Sequence, residues 1–365
     1  MSGVNSRNQQ GLTLVEIMVA MTLGVFITAG ILQLFISSRQ TYRSQEALSR
    51  LQENGRFAID FMARDIRMAG FRGCASGSSN DNAMNIDLNV ATPSNYLYLF
   101  RTFIQGFEAT SETEWTPAIG AVNNPVAKSD VLTVRRANDR GFAVVSVDNA
   151  TKSMVLDSTV SASDATMTST NASLTASTAN LTAVDFVNGK CALAIIANCT
   201  TADVFQISTV AGATLNYVAS VCPSPDNKAT GLAGGYIAGA QVYPINTISY
   251  YVRNNTAGQP SLYRRVGTNN SEELVEGVER MEILYGVDTE PNGTANYFVT
   301  ADTIDTDVNW GKVVSVRLRL LLATTEDNLA AQTAVPFEFN GFDTTADRKL
   351  RRIFSDTIAL RNRAL

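Results

Sequence analysis

The sequence predicts an α+β fold: a long N-terminal α-helix, half of it suited to a membrane, packed on an antiparallel β-sheet domain. Three observations carry this prediction. An apolar run opens the chain, apolar residues then recur at helical spacing, and short β-rich runs follow from about residue 95. With 365 residues, 45% of them hydrophobic, the chain is long enough to bury a sizeable core.

The opening run carries one acid. From Leu12 to Ile36 the only charged residue is Glu16, and Arg7 and Arg39 flank the run, so charge does not fix its orientation. As a helix this run spans about 37 Å, enough to cross a bilayer. It is too long for a secretory signal peptide. A plain signal anchor leaves Glu16 unexplained, because a carboxylate in a bilayer costs about 2.5 kcal/mol or more.

A third interpretation accounts for the acid: the helix leaves the membrane and packs against helices of its own kind. If the chain is cut after Gly11, Leu12 becomes an N-terminus whose amine has a pKa near 8. That ammonium lies about one helical turn from Glu16. In a staggered bundle it can neutralise the carboxylate of its own chain or of a neighbour.

The helix is predicted to run without a break from about residue 12 to 69, because the first proline is Pro93. Gly24 and Gly30 are expected to let it bend or pack closely, and Gly70 is expected to end it together with Gly73. The apolar stripe of its second half is expected to dock on the sheet. It consists of Leu48, Leu51, Ala58, Met62, Ile66 and Ala69. An independent coiled coil is less favoured, because Gly55 interrupts this stripe.

The remainder is predicted to be mainly β-strand. Strands are expected in NYLYLF, DVLTVRR, FAVVSV, ALAIIA and DVFQIST, beginning at residues 95, 130, 142, 192 and 203. NTISYYV and SLYRRV are expected to form a hairpin. In the run from Val313 the alternation predicts a half-exposed antiparallel strand. The Ser/Thr-rich stretch 157–185 is predicted to be a solvated loop or a pair of exposed strands, with a surface-binding tract as the alternative.

Composition excludes several classes of site. The chain has no histidine, which excludes Ser-His-Asp and Cys-His catalysis and His-ligated zinc. No phosphate-binding or nucleophile-elbow motif occurs. A net charge of −5 gives no basic field for nucleic acid. We therefore expect no catalytic residues, no enzyme activity and no bound cofactor other than calcium.

Calcium is suggested by one loop. Asp288, Glu290 and Asn292 alternate before Gly293, as in the first half of a calcium-binding loop. The carboxylate that should close such a loop is missing, because Val299 stands there. A polar turn between strands is the alternative interpretation.

The four cysteines are Cys74, Cys191, Cys199 and Cys222. An even number fits two disulfides in an oxidising compartment, and three pairings are open. The run between Cys191 and Cys199 is too extended for these two to meet unless the chain turns back. Pairing of Cys74 with Cys199 and of Cys191 with Cys222 is favoured, but the sequence leaves the connectivity open.

GLTLVEIMVAM, from Gly11, closely resembles the signal of type IV prepilins. The resemblance implies that a prepilin peptidase cuts after Gly11 and that Leu12 becomes the N-methylated terminus. It makes Glu16 the assembly carboxylate and residues 1–11 the leader. Residues 12–36 are then the membrane and assembly half of the helix, and 37–70 its periplasmic half. Residues 71–365 are then the β-rich globular domain of a pilin-like fold. This family usually has Phe where the chain has Leu12.

Further stretches resemble the PilW family of type IV pilus minor pilins. They are residues 38–74, DVLTVRRA from Asp130, DVFQIST from Asp203, LVEGVERMEILYGVDT from Leu274 and LRRIFSDTIALRNR from Leu350. The resemblance implies a subunit that helps to start pilus assembly, at or near the tip, with a role in adhesion and twitching motility. Implied partners are other minor and major pilins, the prepilin peptidase and the assembly machinery. The implied location is the inner membrane with a periplasmic domain, then the cell surface.

Two other functions stay open at this stage. A type II secretion pseudopilin would carry the same motif at its N-terminus, although the downstream stretches favour PilW. A membrane-anchored adhesin or binding module would use the Ser/Thr-rich stretch and would not need Glu16. A membrane-tethered hydrolase is a more distant third.

Overall fold

The computed structural model describes the chain in segments. They are residues 13–77, 84–90, 95–111, 114–119, 122, 124–157, 166–169, 172–177, 180–181, 192–211, 213–222, 225–307, 310–329, 336–337, 342–343 and 347–362. One long helix precedes a β-rich part, which confirms the predicted α+β class.

Helix α1 extends over Leu14–Arg67 and helix α2 over Ala301–Asp307. Within the described segments, short 3-10 helices lie at Ala75–Gly77, Tyr96–Tyr98 and Trp310–Lys312. The first strands are β1 Met84–Ile86, β2 Leu88–Asn89, β3 Ile104–Ala109, β4 Trp115–Thr116, β5 Val131–Ala137, β6 Phe142–Asp148, β7 Ser153–Leu156, β8 Thr166–Ser169, β9 Ala172–Ser177 and β10 Asn180–Leu181. Next come β11 Leu193–Ala197, β12 Ala202–Gln206, β13 Thr209–Ala211, β14 Thr214–Asn216, β15 Asp226–Asn227, β16 Gln241–Asn254, β17 Pro260–Val266 and β18 Glu272–Glu276. The last are β19 Val278–Val287, β20 Tyr297–Val299, β21 Val313–Ala323, β22 Pro336–Phe337, β23 Phe342–Asp343 and β24 Arg351–Ala359.

Two sheets dominate the described part. The larger has the path β1-β12-β11-β16-β6-β7-β14-β13, with β17, β18, β5, β3 and β4 attached through the long strand β16. The other has the order β20-β19-β21-β24. The predicted hairpin is confirmed, since Asn254 of β16 pairs with Pro260 of β17. Pairing is antiparallel throughout both sheets except between β1 and β12, which run parallel.

The two sheets meet at the start of β5. The amide of Asp130 donates to the carbonyl of Met281 on β19 at 2.9 Å. The Asp130 carboxylate accepts the amides of Ile283 at 2.9 Å and Ala109 on β3 at 3.0 Å. Burial and the neighbouring Glu108 carboxylate raise the pKa of Asp130. One buried side chain therefore joins a strand of each sheet.

The largest apolar core lies between the second half of α1 and the sheets. It combines Leu51 and Met62 of the helix with Leu318 and Leu320 of β21 and Tyr250 of β16. Further clusters fill the larger sheet's other end, around Phe205 and Tyr217 and around Phe100 and Tyr243. α1 therefore docks over the junction of the two sheets, as the stripe in its sequence predicts.

Strand β21 differs from its prediction in one respect. Its apolar face is buried as expected, but the opposite face is largely covered as well, and Leu321 on it is 0% exposed. β21 is a central strand between β19 and β24, and the guanidinium of Arg317 lies 3.9 Å from the ring centroid of Phe298. The predicted antiparallel strand is therefore confirmed, but its predicted half-exposure is wrong.

The strand predicted in NYLYLF is also wrong. The side chain of Asn95 accepts the amide of Leu97 and caps a 3-10 helix over Tyr96–Tyr98. The fully buried guanidinium of Arg135 on β5 then donates to the carbonyls of Tyr96 and Thr102. Burial lowers the pKa of Arg135 to about 9. The residue types of this segment favour a strand. It forms a turn because its backbone carbonyls accept hydrogen bonds from the buried guanidinium of Arg135.

An ion-pair network fixes the C-terminal strand β24 to the smaller sheet. The guanidinium of Arg351 donates to Glu279 on β19 at 2.7 Å and to Asp347 at 2.8 Å. These contacts raise the pKa of Arg351. The hydrogen bond from Arg351 lowers the pKa of Asp347 to about 2.

This network predicts loss of stability in acid. Because the folded-state pKa of Asp347 lies below its usual value of 3.8, its contribution is present above about pH 4 and is lost as the pH falls towards about 2. In Asp347→Asn the free energy of unfolding should fall less steeply between these pH values than in the wild type. Denaturant titrations at several pH values measure both slopes, and equal slopes would contradict the assignment.

Candidate assembly site

The N-terminal end of α1 places Glu16 beside the start of the helix. Thr13 is the N-cap: its hydroxyl accepts the amide of Glu16 at 3.3 Å. The Glu16 carboxylate turns back to within 3.5 Å of the Thr13 amide, which completes a capping box. Gly11 and Leu12, the predicted cleavage residues, lie outside the described residues. The observed carboxylate thus faces the end of the helix at which the new amine is predicted to form.

The first half of α1 is apolar and exposed. It is the one helix in the described part that is long and apolar enough to cross a membrane, and none of its apolar window is buried. Phe26 is 77% exposed and Leu34 is 73% exposed. Gly24 and Gly30, which are predicted to let the helix bend or pack closely, have no neighbouring atom within 4 Å of an added Cβ. In the single chain this surface contacts no other part of the protein that the structure describes.

The second half of α1 is held close to β24 by a glycine. A Cβ at Gly55 would overlap the ring of Phe354, so the helix backbone touches that ring directly. The glycine that interrupts the apolar stripe is thus a close-packing position.

At the end of the helix Gly70 has a φ of +74°, and the amide of Arg361 donates to the carbonyl of Arg67. The C-terminal segment therefore caps α1.

A buried ionic network fixes the same half of α1 to the large sheet. Asp65 is 4% exposed, and its carboxylate accepts Arg136 at 2.8 Å and the hydroxyl of Tyr250 at 2.6 Å. Arg264 lies 3.4 Å from the same carboxylate oxygen that accepts the Tyr250 hydroxyl, and Arg136 contacts the other oxygen. Burial, followed by the charge of Asp65, raises the pKa of Tyr250. One acid thereby connects the helix to β5, β16 and β17.

Asp65 is not among the site residues predicted from the sequence, although a signal is present there. Asp65 falls between Met62 and Ile66, on the apolar stripe itself. An acid at such a position must be paired or must leave the core. Its partners come from strands about 70 to 200 residues away in sequence, which spacing alone does not reveal.

A disulfide ties the loop after α1 to the large sheet. Cys74 and Cys199 are bonded, with Cα atoms 4.6 Å apart, which is the pairing that the sequence favoured. Cys199 lies in the turn between β11 and β12, so the bond links the helix end to that hairpin. Cys222 is also disulfide-bonded. Its favoured partner, Cys191, lies outside the described residues.

The loop suggested as a calcium site forms a turn closed by its own backbone. The two carboxylate oxygens of Asp288 accept the amides of Glu290 and Gly293 at 2.9 and 2.7 Å. The side chain of Asn292 accepts the amide of Thr294. Among the described residues no group of three or more His, Cys, Asp or Glu is placed to hold a metal ion. Asp288 therefore acts as a turn residue, and calcium binding stays a prediction.

The Ser/Thr-rich stretch contains strands where the structure describes it. β8, β9 and β10 form a small antiparallel sheet. The rest of 157–185, apart from Asp157, lies outside the described residues, and the surface-binding alternative stays a prediction.

Similarity to known proteins bears on both ends of the chain. Residues 249–362 match the family described as Type IV Pilus-assembly protein W, and residues 6–32 match the prokaryotic N-terminal methylation motif. The pilin-like protein PilA3 of Thermus thermophilus is 36% identical over 72 residues, which are 20% of this chain and 31% of that protein. The chain thus matches less than a third of that relative's length. No solved structure matches the chain.

Proposed function

We infer that this chain is a minor pilin that acts in pilus assembly. The inference rests on a match to the pilus-assembly protein W family and on an N-terminal methylation motif ahead of it. The single observation that carries this inference is the exposed apolar half of α1, headed by Glu16 and placed inside the methylation motif. The role is structural: the chain supplies a helix to a bundle and presents a folded domain beside it.

Assembly takes three steps in this proposal. The chain first rests in the inner membrane through residues 12–36, with residues 37–365 in the periplasm. A prepilin peptidase then removes residues 1–11 and Leu12 is methylated. The apolar half of α1 finally moves from lipid into a bundle of pilin helices, where an ammonium group neutralises Glu16. The partners are the other pilins and the pilus assembly machinery.

The disulfide supports the periplasmic location proposed for the globular domain. The Cys74–Cys199 bond is of the kind that persists in a periplasm and is rare in a reducing cytosol. The Asp65 network and the disulfide then serve one purpose, because both hold the globular domain at a fixed position on α1. Docking of the helix in the bundle would therefore also orient the domain.

Changing Gly11→Val should block the cleavage on which this sequence of steps depends. A branched side chain in place of the last leader residue leaves no room for close approach of the peptidase to the backbone. We expect only the full-length chain in membranes, detected by N-terminal sequencing and by its size on a gel. Gly24→Val, which makes the same substitution in the apolar half of α1, is the matched control and should still be cleaved before Leu12. A wild-type N-terminus in Gly11→Val would contradict the proposal.

A further inference from the structure

Strand β24 forms an open edge of the smaller sheet. It pairs with β21 over nine consecutive residues without a bulge, and no described strand pairs with its other side. The opposite edge of that sheet is β20, with three residues. Among the described strands β24 is the longest edge strand, and it contains neither Pro nor Lys, two residues that commonly blunt such edges.

The hydrogen bonds show which backbone groups point outward. The amide of Leu360 donates to Val314, and the amide of Thr324 donates to Leu350. Hydrogen-bonded and non-hydrogen-bonded pairs alternate along an antiparallel ladder. The backbone N–H and C=O groups of the even-numbered residues of β24 therefore point towards β21, and those of the odd-numbered residues point away from it. Outward amides and carbonyls therefore belong to Ile353, Ser355, Thr357 and Ala359.

All but one of those outward groups are unpaired among the described residues. The Thr357 amide is bonded to the carboxylate of Asp356, and no other backbone group of these residues has a partner among the residues described. Ser355, Thr357 and Ala359 are also exposed. The edge therefore offers a row of donors and acceptors at strand spacing, which an extended chain can complete.

The direction of α1 limits what can occupy this edge. Gly55 contacts Phe354, and the carbonyl of Arg67 accepts the amide of Arg361, so α1 and β24 run the same way. A second copy pairing β24 with β24 about a two-fold axis would reverse one helix. Two such apolar halves could not enter one membrane or one bundle in the same direction.

We propose that the edge of β24 binds an extended segment of another pilin-type subunit, which adds a strand to the smaller sheet. This proposal rests on the proposed function, because it needs a neighbour whose helix lies parallel to α1. The strand pairing at β24 would be a second contact between neighbouring subunits, in addition to the packing of their helices in the bundle. The contact is specific to β24 and does not involve the apolar half of α1.

Ser355→Pro tests this edge. Proline removes an outward amide but no bond to β21, and the Ser355 side chain has no described partner. In the full-length protein we expect at least about tenfold less subunit in sheared pili relative to membranes. Ser355→Ala, which keeps the amide, should assemble like the wild type. Retention of the Cys74–Cys199 bond on non-reducing gels reports that each variant has folded.

The control arms separate the two proposals. If Glu16→Gln blocks incorporation and folded Ser355→Pro does not, the edge contact is wrong and the pilin function stands. If neither blocks it, the edge contact and the neutralising role of Glu16 are both wrong.

Hydrogen exchange of the wild-type chain gives an independent measurement. In detergent the amides of Ile353, Ser355 and Ala359 should exchange fast, and in assembled pili they should become protected. Equal exchange of these amides in both states would overturn the proposal, even if Ser355→Pro failed to fold.

Discussion

Replacing Asp65 with alanine should destabilise the folded domain by about 3–5 kcal/mol, the usual cost of removing one partner from a buried ion pair. The change leaves the guanidinium of Arg136, whose side chain is 11% exposed, without the carboxylate 2.8 Å away. It also removes the acceptor of the Tyr250 hydroxyl. Denaturant unfolding of the full-length protein in micelles, followed by the fluorescence of Trp115 and Trp310, measures this loss.

Asp60→Ala is the matched control. Asp60 lies on the same helix, is exposed and has no ion pair among the described residues, so its replacement should change stability by less than about 0.5 kcal/mol. Asp65→Asn should fall between the two, because an amide oxygen can still accept one hydrogen bond. Equal unfolding midpoints for Asp65→Ala and Asp60→Ala would show that the network does not hold the helix.

The helix was largely predictable because its signals are local. An unbroken apolar run, a stripe at helical spacing and two glycines place a helix over about 12–69, and the structure has Leu14–Arg67. Strands β5, β6, β11, β12 and β21 likewise show their β-rich composition directly. A pattern that depends on neighbouring residues in the chain can be read without knowledge of the tertiary structure.

The predictions from sequence fail where contacts with residues far away in the chain determine the local structure. NYLYLF has strand-forming residues, yet Arg135, some 39 residues from Tyr96, gathers its carbonyls into a turn. The outer face of β21 is largely buried, with Arg317 stacked on Phe298 and Leu321 fully covered, and alternation within β21 does not show these contacts. At the candidate site the same division applies. Glu16 stands out as a lone acid, whereas the partners of Asp65 become visible only when three strands meet the helix.

Glu16→Gln should leave the chain inserted and processed but exclude it from pili. Glutamine at this position can still complete the capping box with Thr13, so the helix start is kept and only the charge is lost. The ammonium that meets Glu16 in the proposed bundle would then be uncompensated in an apolar environment. At a cost of about 2.5 kcal/mol or more, incorporation should fall by at least about 60-fold.

Thr13→Ala separates charge from helix capping. It removes the hydroxyl that accepts the Glu16 amide but keeps the carboxylate, so its cost is about 1 kcal/mol of helix stability and incorporation should persist. The measurement is the amount of subunit in sheared pili relative to membranes, with the N-terminus sequenced in both fractions. Wild-type incorporation of Glu16→Gln would contradict the electrostatic role. A larger defect in Thr13→Ala than in Glu16→Gln would make capping, and not neutralisation, the reason for an acid in this helix.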